Sequence, residues 1–131
     1  MSLSEIGNCD YVILLCEDVA AMRSFYLDVM GFTLTFDNPA WVTFRVGAVL
    51  LTLRPRGPWL EAWNDGPGVA GSADVQLAFR VPPQAMDGCR DELVAKRVPL
   101  VRDITDIPGI RHRTLFFRDP ESNVIEIYAE Y

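Results

Sequence analysis

The sequence predicts an α+β fold: two tandem βαβββ modules whose curved mixed sheets surround a groove. Three observations lead there. A strand, helix, three-strand pattern runs over residues 8–54 and begins again at 73. A stretch rich in Pro and Gly, 55–72, separates the two runs. Each run carries one helix with a single apolar stripe, so each half alone would leave the inner face of its sheet uncovered, and two halves must pair. The expected organisation is one domain over 1–131, with module one at 8–54, a linker loop at 55–72 and module two at 73–131.

Tyr11–Cys16 is uniformly apolar and reads as a strand covered on both faces. Asp18 then caps a helix whose positive end also carries Glu17. Val19, Met22, Phe25, Tyr26, Val29 and Met30 form its apolar stripe, and Gly31 ends it in a conformation with positive φ. Phe32–Phe36 is the second strand, Asp37-Asn38-Pro39 a turn, and Trp41–Val46 the third strand. Gly47 turns the chain into the fourth strand, Ala48–Leu53. The segment 55–71 then reads as a long connecting loop, and a loop of that length is expected to have a role beyond linking.

The pattern restarts with the strand Val75–Val81. Pro82-Pro83 opens a helix carrying Met86, Cys89, Leu93 and Val94. Val98–Val101 is a strand, Asp103–Gly109 a turn region, and Arg111–Phe117 a strand. Asp119-Pro120 and Ser122-Asn123 make a tight turn before the last strand, Val124-Ile-Glu-Ile-Tyr128. The halves overlay: Tyr11–Cys16 on Gln76–Val81, Phe44-Arg45 on Phe117-Arg118, Leu50–Leu53 on Val124–Ile127. The chain is an internal duplication.

Composition narrows the function. With 131 residues the chain can bury roughly two thirds of its unfolded surface. A formal net charge of −6 and dispersed Lys and Arg residues argue against nucleic acid as the main partner. The longest apolar run, Tyr11–Cys16, is too short to span a membrane. Cys9, Cys16 and Cys89 have no CxxC spacing and suit reduced thiols. The N-terminus lacks the basic region and apolar core of a leader, so a cytoplasmic location is expected.

Candidate site residues follow from strand alternation. Val124, Glu126 and Tyr128 share one face of the last strand. Glu126 is an acid embedded in an apolar strand, and burying it requires a partner, a proton or an opening to water. It reads as a metal-free groove acid able to act as a base, as a metal ligand, or as a carboxylate held by Gln76 or Tyr11 with no chemistry. Arg80 and Arg54 lie four after Gln76 and two after Thr52. Either they clamp an anionic ligand at the groove mouth or they are solvated strand ends. Trp59 and Trp63, four apart in the long loop, either wall the groove or cover apolar surface of a second subunit. His112 is the only histidine, which excludes a His-pair metal site; a surface position is the expected reading.

The chain resembles the vicinal oxygen chelate superfamily, which groups glyoxalase I, bleomycin- and fosfomycin-resistance proteins and extradiol dioxygenases. The residues that carry the resemblance are Glu17-Asp18-Val19, Phe25-Tyr26 and Gly31-Phe32 in the first half. In the second they are Gln76–Val81 and Phe117–Ile127. The resemblance implies a ligand site fed by the first and last strand of each module, at Tyr11, Thr52, Gln76 and Glu126. Members with a metal ion place His, Glu or Gln there. Here only Glu126 is a good ligand for a divalent ion and Gln76 an acceptable one. Thr52 is weak, and the phenol of Tyr11 would first have to lose its proton. An inward bulge bringing Asp10 into the place of Tyr11 would restore a second carboxylate.

The expected function is therefore that of a glyoxalase/bleomycin-resistance-like protein, a cytoplasmic homodimer. It binds a small, partly aromatic or anionic molecule in its inter-module groove without a metal ion. The alternative is a metal-dependent lyase or isomerase of the glyoxalase I type in which Glu126 is metal ligand or proton-transfer base. A dioxygenase with two His ligands and one carboxylate cannot be assembled from one histidine.

Overall fold

The computed structural model describes residues 2–57 and 74–131, together with the backbone of 58–60 and 63–64. The chain divides into two compact units, Met1–Pro67 and Gly68–Tyr131. Each has the predicted βαβββ order.

In the first unit a short 3-10 turn, Leu3–Glu5, precedes β1 (Tyr11–Cys16), α1 (Val19–Ser24), β2 (Thr33–Asn38), β3 (Trp41–Val46) and β4 (Val49–Pro55). The sheet order is β1-β4-β3-β2. β1 runs parallel to β4, while β3 is antiparallel to both β4 and β2. A two-stranded hairpin, β5 (Pro58–Leu60) with β6 (Trp63–Asn64), lies in the stretch read from sequence as pure loop.

In the second unit β7 (Gln76–Arg80) leads through a 3-10 turn at Pro83–Ala85 into α2 (Met86–Ala95). β8 (Leu100–Ile107), β9 (His112–Arg118) and β10 (Val124–Glu130) follow. The order β7-β10-β9-β8, with β7 parallel to β10, repeats that of the first unit.

The duplication holds residue by residue. Tyr11 pairs with Leu50 as Gln76 pairs with Val124. Phe44 pairs with Leu51 as Phe117 pairs with Ile125. Hence Thr52 and Glu126 occupy equivalent places, as the overlay of the sequences requires. β1 pairs with β4 from Tyr11 to Cys16 without a shift, so no bulge brings Asp10 inward. Asp10 is exposed and accepts a hydrogen bond from Asn8 Nδ2 at 2.7 Å.

Each core lies between one sheet face and its helix. In the first unit Leu14, Cys16, Met22, Tyr26, Val42, Phe44, Leu51 and Leu53 are buried. In the second Met86, Leu93, Leu115, Phe117, Ile125, Ile127 and Ala129 are buried. Asp18 caps α1 as expected, its Oδ1 accepting from Ala21 N at 3.0 Å. Gly31 has φ of +68° and ends the first helical segment.

Several expectations about the elements need correction. The first helix does not run evenly to Met30; Phe25–Val29 is a π-helical turn, with Met30 N bonded to Phe25 O at 3.1 Å. The wider turn lets adjacent Phe25 and Tyr26 both enter the core, and leaves Val29 and Met30 only half-buried. Tyr26 packs edge-on to Phe25 and stacks with Phe32. Second, Val94 is exposed, because α2 turns only Met86 and Leu93 fully inward. Third, the region 103–107 read as a turn is strand: β8 continues through it with register shifts that absorb Asp103. There the Asp103 side chain accepts from the backbone N–H of Ile104, a local bond that strand propensity does not anticipate. Fourth, β2 carries a bulge at Thr35 and runs two residues past Phe36, so the turn shrinks to Pro39-Ala40.

Candidate functional site

The last strand and its turn position the site. Asp119 and Asn123, both buried, lock the turn between β9 and β10. Asp119 Oδ1 accepts from the backbone N–H groups of Glu121 and Asn123 at 2.9 and 3.0 Å. Asp119 Oδ2 accepts from Asn123 Nδ2 at 2.9 Å. A single carboxylate thus satisfies three donors in a turn that holds Ser122 at φ of +69°. The turn fixes the register of β10 on β9, and with it which side chains leave the core.

Ile125, Ile127 and Ala129 face the core, so Val124, Glu126, Tyr128 and Glu130 line the other face. On β7 the exposed Gln76, Ala78 and Arg80 flank that row; on β9 Phe116 stands directly opposite Glu126 and His112 opposite Glu130. Gln76 Nε2 donates to Glu126 Oε1 at 3.1 Å. Glu126 itself is half-buried. Two residues further along, the Tyr128 ring stacks on His112 with centroids 4.8 Å apart and planes 25° from parallel. Glu130 closes the row, 2.9 Å from Arg80 Nη2 and 3.5 Å from His112 Nε2.

The equivalent strands of the first unit carry different chemistry. Thr52 is fully buried and its hydroxyl lies 2.9 Å from that of Thr43. Tyr11 and Ile13, on the edge strand β1, are exposed, so this uniformly apolar strand is not covered on both faces as its composition suggests. Arg54 is buried, and its Nη1 donates to Pro55 O at 3.0 Å, so it is not a solvated strand end. Arg80 is exposed and paired with Glu130. The side chains of Trp59 and Trp63 lie outside the described residues.

The structure therefore brings Gln76, Glu126, Tyr128 and Arg80 onto one sheet face in the second unit, and Tyr11 and Thr52 onto the sheet of the first. Phe116 and Glu130 join the first group without having been singled out, and His112, expected at the surface, is instead half-buried against Tyr128. Alternation counted back from the Asp119–Asn123 turn would have placed Phe116 opposite Glu126.

The donors do not suit a divalent cation. Glu126 supplies the only carboxylate among the four expected positions, and the Thr52 hydroxyl is engaged with Thr43. Among the described residues no three His, Cys, Asp or Glu side chains converge. A carboxylate with one oxygen engaged and flanked by aromatic rings can instead accept a hydrogen bond or a proton, or attract a cation.

Two tandem βαβββ units with this strand order define a fold class shared by glyoxalases, bleomycin-resistance proteins and extradiol dioxygenases. The chain belongs to the Glyoxalase/Bleomycin resistance protein/Dioxygenase superfamily, which matches residues 8–127. It is similar to biphenyl-2,3-diol 1,2-dioxygenase 3 of Rhodococcus globerulus, with 25% identity over 126 residues. That alignment covers 92% of this chain and 62% of the relative, so the chain spans about three fifths of that protein's length. Among solved structures, a glyoxalase/bleomycin resistance protein/dioxygenase from Nocardioides superposes with a TM-score of 0.82 at 20% identity, covering 98% of this chain and 88% of the other. A lactoylglutathione lyase from Agrobacterium tumefaciens superposes with a TM-score of 0.77 at 20% identity over 95% of each chain. No helix among the described residues is long and apolar enough to cross a membrane.

Proposed function

We propose that this chain is a small-molecule binding member of its superfamily that works without a metal ion and takes its ligand against the Glu126 face of β10. One observation carries the reading. Of the four positions at which family members place metal ligands, only Glu126 offers a carboxylate, and Gln76 donates to it at 3.1 Å. Such a pair suits recognition of an uncharged or charged organic group better than the closed ligand set of an ion. The aromatic side chains beside it, Phe116 and Tyr128, supply the apolar surface that a small ligand needs.

Two experiments test this. Elemental analysis of protein prepared without chelator is expected to find no stoichiometric Zn, Ni, Mn or Fe; one metal per chain overturns metal independence. Calorimetric titration across a panel of cationic, neutral and anionic aromatic compounds is expected to find at least one ligand. Silence across the whole panel overturns the binding reading. The protein is also proposed to work as a cytoplasmic homodimer, and a monomer by sedimentation velocity at micromolar concentration removes that part.

A second reading has one observation in its favour. Glu126 is half-buried and has one oxygen engaged by Gln76, the state of a carboxylate that can take a proton from a substrate. A lyase or isomerase of the glyoxalase I type would use it so, or as a metal ligand. If turnover is found, Glu126→Gln is expected to abolish it, and full residual activity removes Glu126 from the mechanism.

A further inference from the structure

We infer that the hollow between α1 and the β2–β3 hairpin is a second small-molecule site, built for a compact apolar body that carries an uncharged carbonyl oxygen. It is formed by residues of the first unit alone, so it does not depend on the reading above.

The hollow has a volume of about 410 Å³, within the roughly 300–1,000 Å³ of small-molecule sites. Val19 and Ala20, in the first turn of α1, make its apolar wall together with Pro39 and Val42 of the hairpin. Val42 is buried, so that wall reaches down to the core. Arg23, Asp37 and Asn38 complete the lining.

These walls are in place before any ligand arrives. Asp37 pairs with Val42 and Asn38 with Trp41 across the hairpin. Asn38 Oδ1 accepts from the backbone N–H of Ala40 at 2.9 Å, which shapes the turn at the rim. Arg23 reaches across from α1 and donates to both oxygens of Asp37, at 3.0 and 2.7 Å. A site framed in this way costs a ligand little ordering of the protein.

The polar groups left over set the ligand's chemistry. Arg23 gives Nε and Nη2 to Asp37, and its Nη1 makes no hydrogen bond among the described residues. The same holds for Asn38 Nδ2, while Asn38 Oδ1 and both Asp37 oxygens already accept. Donors therefore remain, and a ligand that meets them must bring an acceptor oxygen. Charge then selects the kind of acceptor. The guanidinium is matched by Asp37, and Asp28 on the same helical segment also acts on it. An added carboxylate would stand beside the Asp37 carboxylate, and an ammonium beside the guanidinium. The carbonyl of an amide or ketone meets the donors with neither repulsion.

The test uses three compounds on one ring: cyclohexanecarboxamide, cyclohexanecarboxylate and cyclohexylmethylamine. Each is titrated at neutral pH into the isotopically labelled full chain and followed by its backbone amide NMR signals. The carboxamide is expected to shift the signals of Val19, Ala20, Arg23 and Asn38 saturably, with half-saturation at about 10 mM or below. It is expected to bind about fivefold or more tighter than the other two. Ala20→Leu fills the hollow and, with its fold checked by circular dichroism, is expected to weaken the carboxamide about fivefold or more. Asp37→Asn leaves the guanidinium unmatched and is expected to strengthen the carboxylate about threefold or more. The comparison of the three compounds needs no variant, so it decides the matter even if Ala20→Leu fails to fold. The inference is overturned by no saturable shift at these residues with the carboxamide, or by shifts along Val124–Glu130 in their place. It is equally overturned if the carboxylate or the amine matches the carboxamide in the parent, if folded Ala20→Leu binds as the parent does, or if Asp37→Asn leaves the carboxylate unmoved.

Discussion

Thr43 and Thr52 face one another across β3 and β4 with hydroxyl oxygens 2.9 Å apart, at the two places that Phe116 and Glu126 hold in the second unit. One duplicated framework thus carries a closed hydroxyl pair in one copy and an open carboxylate beside an aromatic ring in the other. The pair is buried, so its worth is set by what happens when one partner is removed.

Thr52→Val leaves the Thr43 hydroxyl buried without that partner, and is expected to cost about 1–3 kcal/mol. Removing both, Thr43→Val with Thr52→Val, is expected to cost less than the sum of the single changes, because no orphaned hydroxyl remains. Urea denaturation of the four proteins measures the coupling. Additive costs would show that the two hydroxyls do not depend on each other.

Arg97 ends α2 with φ of +60°, the place that Gly31 holds after the first helix with φ of +68°. Val98 N bonds back to Leu93 O at 3.0 Å, so this conformation closes the helix. Arg97→Gly is expected to stabilise the chain by about 1 kcal/mol, and Gly31→Ala to destabilise it by a similar amount. Thermal denaturation followed by circular dichroism checks both signs.

Asp119 binds three donors in a buried turn. Asp119→Ala is expected to cost at least about 3 kcal/mol, since it strands two backbone N–H groups and the Asn123 amide. The loss should also loosen the register of β10. Hydrogen exchange is expected to show faster amide exchange along Val124–Glu130 in the variant, and unchanged protection there would deny the turn its role.

Two bidentate pairs contribute to the acid limb of the stability profile. Arg23 holds the Asp37 carboxyl below the usual carboxylate range through hydrogen bonds of 3.0 and 2.7 Å. Arg113 does the same to Asp106, with bonds of 2.7 and 3.2 Å. A carboxylate whose folded value is depressed contributes stability above its unfolded value and loses that contribution as pH falls through the folded one. Stability should therefore decline as pH drops through and below the ordinary Asp range. Asp37→Asn with Asp106→Asn is expected to flatten that decline. Both pairs are exposed, so added salt should shrink the difference between parent and variant.

The three thiols should separate by reactivity. Burial, with a further push from Glu92, moves the Cys89 thiol up, and Cys16 is buried, while Cys9 is exposed. Alkylation at neutral pH followed by mass spectrometry is expected to label Cys9 first and Cys16 last. Cys89 should gain reactivity only as pH rises.

Much of this was legible in the residues. Periodicity, the Asp18 cap, Gly31 and Gly47, and the Asp119–Asn123 turn are local signals, and they fixed element order, duplication and superfamily. Alternation along β10 was equally local, and it put Glu126 and Tyr128 on one face. The π-helical turn at Phe25 was not legible, because its reason is the shape of the core that Phe25 and Tyr26 must both enter. The continuation of β8 through Asp103 was hidden because pairing with β9, not strand propensity, holds those residues.

The sequence by itself determined which side chains share a face, since that follows from a period of two residues and a turn of known length. Tertiary structure alone decided their company: that Arg54 is buried on a carbonyl, that Arg80 pairs with Glu130, and that His112 lies on Tyr128. The physical reason is that partnerships form between strands distant in the chain. Their geometry depends on register and packing, which no single stretch of residues encodes.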